Sequence, residues 1–252
     1  MPIIQAVDRA LAILDLFDEN DRELKITEIS ARVGLHKSTV HSLLKTLQKH
    51  RYIEQDEQGL YRLGMRLLEK GQLLLQGFDL RGIAAGPLRQ LSGETGQTVH
   101  LVIRDGAEGV YIDKVEGSKA AIRYSRIGRR VPLHSSAVGK VLAAFIPASE
   151  AEPLLKGYAY SIHTPRTIAG EEAFRQELKN VRETGVAFDR EENEPGVRCA
   201  AAPVYDHAGH LAAAISISTM AATVGDTQLA EYADMLGATA ARISQGLGYR
   251  PR

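Results

Sequence analysis

The sequence predicts an α+β protein: a small helical head ending in a β-hairpin, then a larger part in which a mainly antiparallel sheet is combined with separate helices. Two observations carry this expectation. Residues 1–63 hold three short runs with apolar residues at helical spacing, followed by two strand patterns around a turn. That is the order of a winged helix-turn-helix. Residues 81–252 mix period-two alternation with longer amphipathic helices. Residues 64–80 read as a connecting helix. Its Leu67, Leu68, Leu73, Leu74 and Leu75 exceed what a bare linker needs, and they point to packing against a second subunit.

Each element has a local reason. Ile4, Val7, Leu11, Leu14 and Phe17 form one apolar stripe. Thr27 offers a cap for a helix holding Glu28 to Val33, which Gly34 ends. A third helix starts near His36, with Val40, Leu43, Leu44 and Leu47 as its core face. Tyr52 to Glu54 and Leu60 to Leu63 flank a turn at Asp56 to Gly59. Further on, Val99, Leu101 and Ile103 alternate with polar residues, the next strand holds Val110 and Ile112, and Ala121 to Ser125 reads as a third. Ser149 with Glu152 has the spacing of a capping box. A helix runs from about Gly170 to Thr184, Ala200 to Val204 and Leu211 to Ser218 are buried strands, and Leu229, Tyr232, Leu236, Ile243 and Leu247 mark a long final helix.

Composition narrows the function classes. The 252 residues carry 31 Lys plus Arg and 31 Asp plus Glu, so any nucleic-acid site must come from local clustering. One cysteine excludes a disulfide framework and multi-cysteine zinc sites, and fits a reducing cytoplasm. No apolar run is long enough for a membrane span or a secretory signal. The eight histidines show no ligand spacing, so neither a metal nor another cofactor is expected.

The clustering exists. From Ile29 to Ile53 there is no acidic residue, while Arg32, Lys37, Lys45, Lys49 and Arg51 are basic. Opposite the apolar stripe of the third helix stand Lys37, His41 and Lys45, spaced by four, and Ser38 with Ser42. Cations meet phosphates, and short hydroxyls reach phosphates or base edges. With His36 at the helix start, this face is expected to bind double-stranded operator DNA.

These residues also carry a family resemblance. The run Ile4-Gln5-Ala6-Val7-Asp8-Arg9-Ala10-Leu11, followed by Gly34-Leu35-His36-Lys37-Ser38-Thr39, resembles the IclR family of bacterial transcription regulators. The resemblance extends from residue 3 to about 249, with stretches similar to the branch controlling breakdown of sugar acids such as xylonate and keto-deoxy-gluconate. It implies a homodimer or dimer of dimers, a C-terminal effector domain of GAF-like topology, and Lys37, Ser38, Thr39, His41 and Ser42 against the major groove. The expected function is that of a repressor of a catabolic operon, released or modulated by a small organic acid such as a sugar acid or keto-sugar acid. The alternative is an activator of the same architecture.

Two segments of the second part match the family's effector domain. Arg129 to Lys140 includes His134 and a helix start near Ser135 or Ser136, where free N–H groups attract an anion. Gly139-Lys140 is not a phosphate loop, because His134 and Val141 stand where that motif needs Gly and Ser or Thr. Asp189 to Cys199 is the second segment. The resemblance implies Ala137 and Val138 as amide donors to an organic acid. It implies Asp189, Cys199, Ser216 and Ser218 as lining groups, and Val131 and Val197 as apolar walls. Ser136 and His134 are added from the helix start. Arg123 stands where some relatives are apolar and, pointing inward, would pair with a carboxylate; pointing outward, it is a surface arginine. His100 and Tyr124 are weaker candidates. The rival class is an enzyme with Cys199 as nucleophile and His207 or His210 as base, but no catalytic motif orders them.

Overall fold

The computed structural model describes residues 3–18, 21–76, 79–119 and 125–251. It divides into two compact units, Met1–Phe78 and Asp79–Arg252.

The first unit contains α1 (Gln5–Leu14), α2 (Ile26–Val33), α3 (Lys37–Lys49), β1 (Ile53–Gln55), β2 (Tyr61–Leu63) and α4 (Met65–Gln76). Its core is Ile13, Phe17, Leu24, Ile29, Val40, Leu44, Ile53 and Tyr61. Burying each of its aliphatic side chains and Phe17 is worth about 1.5–3 kcal/mol, which is what holds so small a unit together. β1 and β2 pair antiparallel, and Leu24 bridges to Tyr61 on the hairpin's other side. The hairpin turn closes on Asp56, whose Oδ1 accepts from the Gln58 and Leu60 amides at 2.9 and 2.8 Å.

Two expectations are corrected here. Only the C-terminal part of the α1 stripe faces this core: Leu14 and Phe17 pack into it beside Ile13, whereas Ile4, Val7 and Leu11 are 71%, 54% and 55% exposed. Thr27 is not the cap of α2. The N-cap is Lys25, whose N–H donates to Glu28 Oε2 at 2.7 Å, so the carboxylate half of a capping box does the work. Gly34 ends α2 at φ +64°, as only glycine does cheaply.

The second unit contains α5 (Leu80–Thr95), β3 (Thr98–Asp105), β4 (Glu108–Val115), β5 (Arg130–Pro132), α6 (Ala137–Ala144), α7 (Ala148–Lys156), α8 (Glu171–Thr184), β6 (Ala187–Arg190), β7 (Val197–Tyr205), β8 (Leu211–Met220) and α9 (Asp226–Gly246). Six strands form one sheet in the order β5-β4-β3-β8-β7-β6, antiparallel throughout the described residues. Side chains alternate across it. α5 and α9 pack together over one face, and α6, backed by α8, covers the other. The expected strand at Ala121 to Ser125 lies mostly outside the described residues; Ser125 is described, buried and not in a strand. Ser149 and Glu152 form no capping box. α7 starts one residue earlier with Pro147 as N-cap, and Glu152 pairs with Arg175 at 2.8 Å. Asp206 to His210 is a hairpin turn, with Asp206 Oδ1 accepting from the Ala208 and His210 amides.

Candidate functional site

The turn between α2 and α3 is clipped shut. Ser30 Oγ donates to the Leu35 carbonyl at 2.6 Å, and the Leu35 amide returns a bond to the Ser30 carbonyl at 3.2 Å. His36 is the N-cap of α3, its Nδ1 lying 2.9 Å from Ser38 Oγ. Val40 and Leu44 then lock the helix inward, while Lys37, Ser38, His41, Ser42 and Lys45 are exposed and Thr39 is half-buried. Ser42 Oγ donates to the Ser38 carbonyl at 3.1 Å. Arg32 and Arg51 are differently placed. Asp21 holds the Arg32 guanidinium through two hydrogen bonds of 2.5 and 3.2 Å, and this pairing lowers the pKa of the Asp21 carboxyl. Arg51, at φ +60°, pairs with Glu69 of α4 at 3.3 Å. The open cationic face is therefore that of α3.

In the second unit, sheet register assembles a polar row. Asp189 on β6 stands opposite Cys199 on β7, Cys199 opposite Ser218 on β8, and Ser218 opposite Thr98 on β3. Two residues along the strand, Ser216 faces both Ala201 and His100. Opposed residues share a face, so all of these point to the α6 side. The Cys199 thiol donates to Ser218 Oγ at 3.1 Å, Ser218 Oγ lies 3.4 Å from His100 Nδ1, and His100 Nε2 lies 2.8 Å from Ser125 Oγ. Burial, seconded by the Lys114 cation, drops the His100 pKa to about 3, so the imidazole is neutral. Thr98 Oγ1 is buried with no hydrogen-bond partner among the described residues.

α6 begins over this row. Ser136 caps it, Oγ accepting from the Gly139 amide at 3.1 Å and donating to the Pro132 carbonyl at 2.6 Å. The Ala137 and Val138 amides lie in the first turn, where no intrahelical carbonyl is available to them. Val131, Ala137, Val138, Val197 and Cys199 share one buried cluster. A groove of about 390 Å³ opens beside it, reaching Tyr111, Val131, Arg129, Asn193 and Glu194.

Other predicted side chains are committed elsewhere. The Ser136 hydroxyl is used up by the cap. The His134 ring faces Tyr158 and the Ser161 carbonyl, at 3.1 and 2.9 Å, among Tyr160, His163 and Phe174. Asp189 Oδ1 accepts from the Glu192 and Asn193 amides at 2.7 and 3.3 Å, and burial pushes its pKa up to about 7. Arg123 and Tyr124 lie outside the described residues. No group of three or more metal-ligating side chains occurs among the described residues.

A family model of the IclR helix-turn-helix domain matches residues 6–57, and one of the bacterial transcriptional regulator IclR C-terminal domain matches residues 72–245. The chain belongs to the IclR family. It is 54% identical to the HTH-type transcriptional regulator XynR of Escherichia coli K12, over 99% of each chain. It is 40% identical to the regulator KdgR of the same strain, over 98% of this chain and 94% of that one. Among solved structures, Agrobacterium tumefaciens repressor BlcR superposes with a TM-score of 0.81 at 28% identity, over 98% of both chains.

An IclR chain is a transcriptional regulator and not an enzyme, and the surroundings of Cys199 agree. Burial raises the thiol pKa, keeping it un-ionised. His207 and His210 are exposed on the β7–β8 turn. No helix among the described residues is long and apolar enough to cross a membrane. Sequence reasoning missed Tyr111, Thr98, Lys140 and Glu192. For Thr98 the signal was its place two residues before His100 on a strand, which puts both on one face.

Proposed function

We propose that this IclR regulator is a repressor of a catabolic operon, released by a small organic acid of sugar-acid or keto-sugar-acid type. The observation that carries the reading is the exposed face of α3, with Lys37, His41 and Lys45 beside Ser38, Thr39 and Ser42 on a helix fixed by its own core. His36 shapes the start of that face, and Arg32 and Arg51 flank it. Such a face fits the major groove of operator DNA, its lysines on phosphates and its hydroxyls on phosphate or base edges. A DNA-binding role fits a cytoplasmic location. The repressor sign rests on relatives: AllR of Klebsiella pneumoniae, 31% identical over 98% of this chain, is named a repressor, as is BlcR.

The acid's carboxylate sits on the first-turn amides of Ala137 and Val138. Its hydroxyls meet Cys199, Ser216, Ser218 and Thr98, with Val131 and Val197 as walls. Asp189 shapes the rim, while Ser136 and His134 support the segment from behind. The domain plan is a winged helix-turn-helix at 1–63, a connecting helix at 64–80 and an effector domain at 81–252. A homodimer or dimer of dimers is supported by apolar side chains left exposed at the start of α1 (Val7 and Leu11, with Ile4 just before it) and on α4 (Met65, Leu68, Leu73). Acid binding favours one arrangement of the dimer, and a coupling of about 1–3 kcal/mol changes operator affinity by about 5- to 150-fold.

The test is a mobility-shift titration with fragments of the gene's own promoter region, with and without D-xylonate and 2-keto-3-deoxygluconate. Binding that either acid weakens supports the reading. Binding strengthened by acid reverses the sign to activator, and no binding at low salt overturns it.

A further inference from the structure

Lys140 is one of the largest fully buried side chains among the described residues, 1% exposed. Its ammonium lies in the second turn of α6 and has three partners. They are Glu192 at 2.7 Å, the Phe188 carbonyl at 2.7 Å and Glu177 of α8 at 3.2 Å. A charge taken so far from water is tolerated only where partners replace its hydration. Here two of the three partners come from one stretch, β6 and the turn that leads from it to β7.

That turn is held from every side. Asp189 accepts the Glu192 and Asn193 amides, and Ser135 Oγ donates to Asn193 Oδ1 at 3.0 Å. Thr167 Oγ1 donates to the Glu192 carbonyl at 2.6 Å, and Thr164 Oγ1 to the Glu191 carbonyl at 2.7 Å. Glu191 itself sits at φ +67°, a conformation that a non-glycine residue keeps only when its surroundings impose it. The turn follows directly on Asp189 of β6, at one end of the polar row, and carries Asn193 and Glu194 on the rim of the adjoining groove.

We infer that Lys140 is a positioning residue: by clamping Glu192 and the Phe188 carbonyl onto α6, it fixes the β6–β7 turn relative to the Ala137 and Val138 amides and so sets the geometry of the organic-acid site. The inference rests on the organic-acid reading above for its ligand, but the clamp stands on its own hydrogen bonds. It also gives the Gly139-Lys140 pair a reason to exist without a phosphate.

The test is made on the full chain. Lys140→Met alone leaves Glu192 buried without its cation and lowers Tm. The double variant Lys140→Met, Glu192→Leu removes both charges and recovers most of that drop, because apolar replacements of a buried pair are often neutral or stabilising. A purely structural role is then satisfied, and a positioning role is not. In the double variant the backbone amides at positions 192 and 193 are expected to exchange hydrogen at least about tenfold faster than in the parent, with D-xylonate bound at least about tenfold more weakly. The nearly isosteric Glu192→Gln, which keeps the fold under milder strain, is expected to move both readouts in the same direction. Unchanged exchange at these amides in the folded variants overturns the clamp, and unchanged xylonate affinity overturns its role in the site. If the parent chain itself ignores D-xylonate, the choice of acid above fails, and the exchange rates alone decide on Lys140.

Discussion

The Cys199 thiol donates to Ser218 Oγ across the β7–β8 register, and Ser218 in turn reaches His100 Nδ1. The chain's one cysteine is thereby a neutral donor in a buried hydrogen-bonded row, with its pKa raised by desolvation. Native protein is expected to react with a disulfide reagent at pH 8 at least about a hundredfold more slowly than the same chain in denaturant. Rapid labelling of folded protein would contradict the placement of this thiol.

The same row makes stability depend on pH in two opposed ways. His100 is held at about 3 when folded and returns to 6.5 when unfolded. The unfolded chain therefore takes up the proton first, and stability is lost as pH falls from 6.5 toward 3. At a pH of about 5 the loss is about 2 kcal/mol. Asp189 has the reverse sign: its folded value is about 7 against 3.8, so the folded state holds the extra proton and stability falls as pH rises between those values. Urea unfolding at several pH values should show His100→Asn flattening the acid loss and Asp189→Asn removing the fall toward neutrality. Parallel curves for both variants and parent would refute the assignment.

Gly139 is where α6 meets the segment after β5. A Cβ there would overlap the Pro132 carbonyl and lie 2.6 Å from Leu133 Cα and 2.7 Å from Ser136 Oγ. Gly139→Ala must push the helix start away, at a cost of about 1–3 kcal/mol. Thermal unfolding reads the destabilisation. Gly237, inside α9, around which a Cβ meets nothing within 4 Å, is the control and should tolerate alanine.

Much of the architecture is legible in the sequence, and the exceptions have physical causes. α3 announces itself because Val40, Leu43, Leu44 and Leu47 repeat at helical period while its other face is basic and acid-free. The stripe on α1 is equally visible, yet periodicity cannot say whether an apolar face meets its own core or remains open, as Ile4, Val7 and Leu11 do. α5 escapes notice because Gly82, Gly86, Pro87 and Gly93 are poor helix formers, and only packing against α9 and β3 makes it a helix. β5 and β6, three and four residues long, are too short for alternation to show. In the site, the resemblance supplies Cys199 and Ser218, and the register then adds Thr98. The sequence does not show where the His134 ring turns, because adjacency to a helix start carries no side-chain direction. Its partners Tyr158 and Ser161 are 24 and 27 residues away in sequence.

The central claim is that the exposed face of α3 holds phosphates of duplex DNA, and the salt dependence of operator binding tests it most directly. Replacing Lys37 and Lys45 together by alanine should leave Tm unchanged, weaken binding to every sequence, and flatten log K against log salt by about 0.9 for each phosphate no longer neutralised. A double variant that binds with the parent's slope would contradict the account.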